Sequence, residues 1–223
     1  MLLQGKQLSA YIGTAHVLRN VDLQIAAGET VALVGRNGAG KTSLLRTIMG
    51  TLALASGQLQ FNGQDLGQRA SHVRAGLGIG FAPEERRLIG KFTVLENIMV
   101  PAWACGMSNR QIEEQLELIY SVAPELPMLS DRLGGLLSGG QQKMAALGRA
   151  LMAGTHLVLL DEPFQGLAPV LAQQYAESLQ RLREKRPNLA ILITESNPKL
   201  LRPMANRMLT IERGEINHEE SIQ

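Results

Sequence analysis

The pattern of apolar and polar positions changes character along the chain. The first 60 residues alternate and turn, as AYIG, VLRNVDLQI, AAGE and TVALVG, which predicts strands with short connections. GQLQFNGQDL predicts a hairpin turning at Asn62-Gly63. Lys41 to Met49 reads as a helix that Gly50 ends. Over 94–134 the alternation gives way to helical spacing. There Ser108 and Gln111 form a capping box, Ile112, Leu116, Ile119 and Tyr120 share one face, and Pro124 and Pro127 end the stretch. Strand and helix then alternate again. LVLL at 157–160 predicts a strand, Pro169 to Arg186 a helix stopped by Pro187, and AILIT at 190–194 a buried strand that surfaces at Glu195-Ser196. MLTIERGEI predicts a last strand turning at Arg213-Gly214, and the polar HEESIQ a loose tail. The sum is an α/β core with an all-helical insertion at about 91–135.

Composition narrows this little. A chain of 223 residues, 45% hydrophobic and 19% charged, suits one large α/β domain. A net charge of +2 gives no surface for tracking nucleic-acid phosphates. Cys105 stands alone, so no intramolecular disulfide forms. MLLQGKQLSAYIG lacks the apolar core of a signal peptide, and no stretch is long and apolar enough to span a bilayer. A membrane role therefore requires a partner chain.

Three stretches carry chemistry. GRNGAGKT at 35–42 follows an apolar strand and opens a helix, the context of a phosphate-binding P-loop. The backbone from Gly35 through Arg36, Asn37, Gly38, Ala39 and Gly40 would curl around phosphate oxygens, with Ser43 beside it. Lys41 would reach the β- and γ-phosphates and Thr42 would ligate Mg2+. LVLLDE at 157–162 delivers two carboxylates to a strand end. Asp161 would hold Mg2+, and Glu162 would orient or deprotonate water. LSGGQQ at 137–142 places Ser138, Gly139 and Gly140 at a helix start, a second anion site with free amides and a hydroxyl.

The three motifs, in this order and spacing, resemble the nucleotide-binding subunit of ATP-binding cassette (ABC) transporters over essentially the whole chain. The resemblance implies one nucleotide-binding domain over 1–223. Its P-loop NTPase core would have a mixed β-sheet and an antiparallel β subdomain, with lobes at about 1–90 and 136–223, and an inserted α-helical subdomain at about 91–135. It implies Mg-ATP sandwiched head to tail between two subunits, with Ser138, Gly139, Gly140 and Gln141 acting on the other chain's nucleotide, and Lys41 and Glu162 as catalytic residues. The implied partners are a second ABC ATPase, with a different chain favoured and another copy of this one the alternative, transmembrane permease subunits, and indirectly a periplasmic or extracellular binding protein; nucleic acid is not among them. The implied place is the cytoplasmic face of the membrane. DEPFQGLAP (161–169) and GIGFAPEERR (78–87) resemble the LivF-type ATPases of branched-chain amino acid and amide importers, with urea-importer ATPases close by.

Several positions depart from that pattern. Glu84 stands where most such ATPases have a glutamine that senses Mg2+ and water; a carboxylate can still ligate the metal. Ala168 replaces an aspartate that contacts across the dimer. A gap-free match puts Ile12 where an aromatic stacks on adenine, which leaves Tyr11, with Val17 beside it, as the adenine contact. Ser196 takes the place of a histidine that contacts the γ-phosphate, a glutamine in the LivF type. It would reach the phosphate only through water or a loop shift, or would simply cap the next helix. Trp103 and Met107 are expected in the core, with a membrane-partner contact as the alternative. The expected function is transport-coupled ATP hydrolysis. The alternative is an ATP-binding switch whose own site is slow, in an asymmetric pair.

Overall fold

The computed structural model describes residues 1–222. Two sheets form. The first is antiparallel, in the order β2 (Ala15–Ile25), β1 (Leu3–Ile12), β4 (Ser56–Phe61) and β5 (Gln64–Asp65). Asn62 and Gly63, both left-handed, make the predicted hairpin turn between β4 and β5. The second sheet has six strands: β10 (Glu215–Ser221), β9 (Arg207–Glu212), β3 (Thr30–Val34), β8 (Ala190–Glu195), β7 (Leu157–Asp161) and β6 (Ile79–Ala82), in that order. Its pairs are parallel except at the β9–β10 edge.

The central strands β3, β7 and β8 are buried along their whole lengths, as continuous apolar runs in a covered parallel sheet require. Alternate residues face opposite layers. Val31, Leu33, Leu157, Leu159 and Leu192 join one core with helix α1 (Lys41–Met49) and the antiparallel sheet. Ala32, Val34, Val158, Leu160, Ile191 and Ile193 join the other. That second core includes residues of α3 (Val94–Cys105), α4 (Asn109–Val122), α6 (Gly139–Ala153) and α7 (Pro169–Lys185). Three short helices, α2 (Ser71–Gly76), α5 (Leu126–Leu129) and α8 (Pro198–Leu201), complete the chain.

The capping box at Ser108 and Gln111 forms as predicted, and so do the helix over Lys41–Met49 and its left-handed end at Gly50. Four expectations are corrected. HEES is not loose: β10 runs to Ser221, tied to its neighbours by Arg207–Glu219 and Arg202–Glu220 ion pairs that an edge strand's polar sequence does not advertise, and the last residue of the expected tail, Gln223, lies outside the described residues. Pro127 does not merely end a stretch; it sits in the first turn of α5, where a missing amide costs nothing. Trp103 is 55% exposed on α3, while Met107 packs against the core. The β8 strand does not surface at Glu195, which is still inside the sheet and buried.

Strand order is what assembles the site. With β8 between β3 and β7, and β6 beyond, four carboxyl ends lie side by side; Val34 pairs with Glu195, Asp161 with Thr194, and Ala82 with Leu160. Ligands bind at such ends.

Candidate functional site

The loop after β3 wraps the start of α1. Gly40 has φ 114, and a side chain there would press on the Val17 carbonyl, so only glycine closes the loop. Lys41 is buried and bends back over the loop, its Nζ donating to the carbonyls of Gly35 (2.7 Å) and Arg36 (3.1 Å). The same ammonium meets Glu162 Oε1 at 2.9 Å.

Glu162 follows β7 in a left-handed conformation, φ 44. Thr194 of β8 fixes both carboxylate residues. Its Oγ1 accepts from the Glu162 amide at 3.0 Å and donates to Asp161 Oδ1 at 2.8 Å. Thr42 Oγ1 donates to the same Asp161 oxygen at 3.1 Å. Burial pushes the Asp161 carboxyl above its usual range, with the two hydroxyls opposing. Glu195 is pushed up for the same first reason; it turns inward and accepts from the Phe164 amide at 2.9 Å.

Ser196 caps nothing, since Asn197 caps α8 by accepting from Lys199 N. Instead Ser196 Oγ lies 2.8 Å from Asn37 Oδ1 and 3.2 Å from Glu162 Oε1, two acceptors for its one proton, and accepts from Lys41 Nζ at 3.3 Å. No loop shift is needed to bring it to the P-loop lysine.

These groups border a cleft of about 380 Å3 lined by Val17, Asn37, Gly38, Gly40, Lys41, Thr42, Ser43, Glu84, Glu162 and Gln165. Gly35, Arg36 and Ala39 complete the loop behind it. Tyr11 lies apart from that lining, exposed, its ring stacked on His16 at 4.3 Å. The Ser138–Gln141 turn is separate too. There the capping box already occupies the Ser138 hydroxyl and amide, which bond Gln141 N (3.3 Å) and Gln141 Oε1 (3.0 Å). The Ser138 hydroxyl thus accepts within its own helix and keeps its proton to donate, its amide is engaged, and the Gly139 and Gly140 amides, in the first helical turn, have no intrahelical acceptor.

The residues suit a hard dication. Asp161 Oδ2 is buried without a partner among the described residues, Thr42 Oγ1 is adjacent, and Glu84 lines the cleft. No group of three or more acidic, histidine or cysteine side chains among the described residues could hold a metal alone. Such a site suits magnesium that takes most of its ligands from phosphate and water. Thr194, Gln165 and Lys143, which donates to the Glu162 carbonyl, were not anticipated. A threonine closing an aliphatic strand was the one available signal for Thr194.

Residues 18–165 match the family model described as ABC transporter. The chain is 34% identical over 215 residues to the high-affinity branched-chain amino acid transport ATP-binding protein BraG of Pseudomonas aeruginosa, covering 96% of this chain and 91% of that one. It is 32% identical to the probable branched-chain amino acid transport ATP-binding protein LivF of Archaeoglobus fulgidus, covering 88% and 82%. It is 31% identical to the lipopolysaccharide export system ATP-binding protein LptB of Haemophilus influenzae, covering 96% and 88%. A solved dimeric bacterial ABC transporter cassette superposes with a TM-score of 0.86 at 24% identity, covering 100% of this chain and 99% of that chain.

Proposed function

The chain belongs to the ABC transporter ATP-binding proteins and is an ATPase, and from that premise we propose that it energises import of branched-chain amino acids or related amides through separate membrane subunits. The observation that carries the mechanism is the convergence of Lys41, Thr42 and Glu162 on one cleft, with Asp161 buried behind Thr42 and hydrogen-bonded to it. The γ-phosphate takes the Lys41 ammonium from Glu162. The freed carboxylate then accepts a proton from, or orients, the attacking water. Thr42 and Asp161, with Glu84, would hold magnesium, whose charge would offset that developing on the phosphate. The Gly139 and Gly140 amides cap the nucleotide of a second ATPase subunit, a different chain in this reading.

The import reading is supported by the BraG and LivF relatives and by the GLAP and PEERR stretches, against the LptB relative, which is named for export. Among the described residues no helix is long and apolar enough to cross a membrane, and in this reading the permease is a separate chain. A largely apolar cleft of about 410 Å3 between α1, β6, α3 and α6, including Met49, Phe81, Val100 and Arg149, lies where the helical insertion meets the core and suits a permease helix. Purification of the native complex from membranes tests this. Permease subunits and a second ATPase should copurify, with ATPase activity stimulated by binding protein loaded with a branched-chain amino acid. Copurification with export machinery, or indifference to every amino acid and amide, would overturn the import reading.

One observation favours a second reading, a switch subunit with a slow site. The side chain facing Lys41 and Glu162 from the end of β8 is a serine, which carries no charge. ATP-driven dimerisation without measurable turnover at this site would support it.

A further inference from the structure

Lys143 lies on α6, five residues after Ser138, and is only 5% exposed. A buried ammonium is costly unless a specific partner repays its lost hydration. Burial pulls its pKa below the usual lysine range, with Glu195, Glu84 and Glu162 opposing and Arg86 reinforcing. Yet no carboxylate among the described residues pairs with it directly. Its hydrogen bond goes to a backbone oxygen, the carbonyl of Glu162, at 2.6 Å.

That carbonyl belongs to a residue in an uncommon conformation. Glu162 has φ 44 without being glycine, a geometry that persists only when its surroundings over-determine it. Four hydrogen bonds do so. Thr194 Oγ1 accepts from its amide, Lys143 and, more weakly, the Gln165 amide (3.2 Å) donate to its carbonyl, and Glu195 accepts from the amide of Phe164 two residues on. Thr194 and Glu195 come from β8, which also positions Asp161, and Gln165 from the same turn as Glu162. Lys143 alone comes from the helix that begins at Ser138.

We propose that Lys143 is a positioning residue. It holds the left-handed backbone that aims Glu162 into the cleft, and it makes that aim depend on the start of α6, hence on what binds the Ser138–Gln141 turn about one helical turn before it. Occupancy of the partner's nucleotide site would thus be felt at this chain's own carboxylate. The inference rests on Glu162 being the group that handles water.

The test uses the chain assembled with its membrane and ATPase partners, in single-turnover hydrolysis and ATP-binding assays. Lys143→Met keeps the stem and removes the donor. It should slow hydrolysis by about tenfold or more while ATP affinity stays within about threefold. Added to Glu162→Gln, it should change the residual rate by less than about twofold, because it acts through a carboxylate already gone. If Lys143→Met fails to fold, Lys143→Gln is read by the same two ratios. A parental rate in the single variant, or an equal loss in both backgrounds, overturns the proposal alone. A parental rate in Glu162→Gln overturns the assignment of Glu162, and the proposal with it.

Discussion

Two anion sites in this molecule begin at a helix start, and they differ in how much of the job each does by itself. At Lys41 the loop, two carboxylates and two hydroxyls are bonded to one another at the foot of the cleft, leaving only Asp161 Oδ2 among them buried without a partner among the described residues. At Ser138 the turn is open, its side chains cap their own helix, and two glycine amides face outward. The first site is built to exchange internal partners for a nucleotide. The second has nothing in its own chain to receive. In the proposed reading, one subunit therefore carries a whole phosphate cradle and only the lid of another.

The comparison can be broken from either side. The largest effect is expected at Glu162: Glu162→Gln should slow single-turnover hydrolysis by about 10²–10⁴-fold while ATP binding is retained. Gly139→Asp puts a carboxylate where a partner's phosphate should arrive. It should weaken ATP-driven association by about 100-fold or more, seen by size exclusion or ultracentrifugation, and leave nucleotide binding by the single chain unchanged. Loss of binding by the single chain would merge the two sites and end the contrast.

A smaller effect tests the burial of Asp161. Asp161 is buried with one oxygen unpartnered, and its pKa is raised by burial. The folded chain therefore binds that proton more tightly than the unfolded chain. Its contribution is fully present below the unfolded value near pH 4 and is lost as pH rises through the raised folded value. At neutral pH Asp161→Asn should stabilise the nucleotide-free chain by about 1–2 kcal/mol, raising Tm by about 2–6 °C. The gain should shrink toward pH 4 in thermal melts across pH. The smallest effect is at Ser196, whose hydroxyl shares Glu162 and Lys41 with stronger groups. Ser196→Ala should change hydrolysis at this site by less than about tenfold, roughly 1.4 kcal/mol; a larger loss in single turnover would make the serine a phosphate sensor.

What could be read beforehand follows the same divide. GRNGAGKT, LVLLDE and LSGGQ are contiguous, so their local physics is visible without a fold. Thr194, Lys143 and the inward turn of Glu195 are not, because each acquires meaning only from the order β3–β8–β7 and the packing of α6 against it. In a strand, one residue of extension reverses the face; ending β8 at Thr194 left Glu195 in solvent, while ending it at Glu195 buries that carboxylate. Tyr11 illustrates the opposite limit. Its aromatic ring invited an adenine role, and its stacking on His16 depends on a hairpin register that composition does not encode.

The 2.9 Å contact between Lys41 and Glu162 has a consequence for affinity. An anion tethered next to the lysine acts as a built-in competitive inhibitor, present at a fixed, high local concentration. Every measured ATP affinity of the parent chain is then an exchange constant, one anion evicting another. Replacing Glu162 with glutamine withdraws the competitor, so the variant that hydrolyses most slowly should also hold its fuel more tightly.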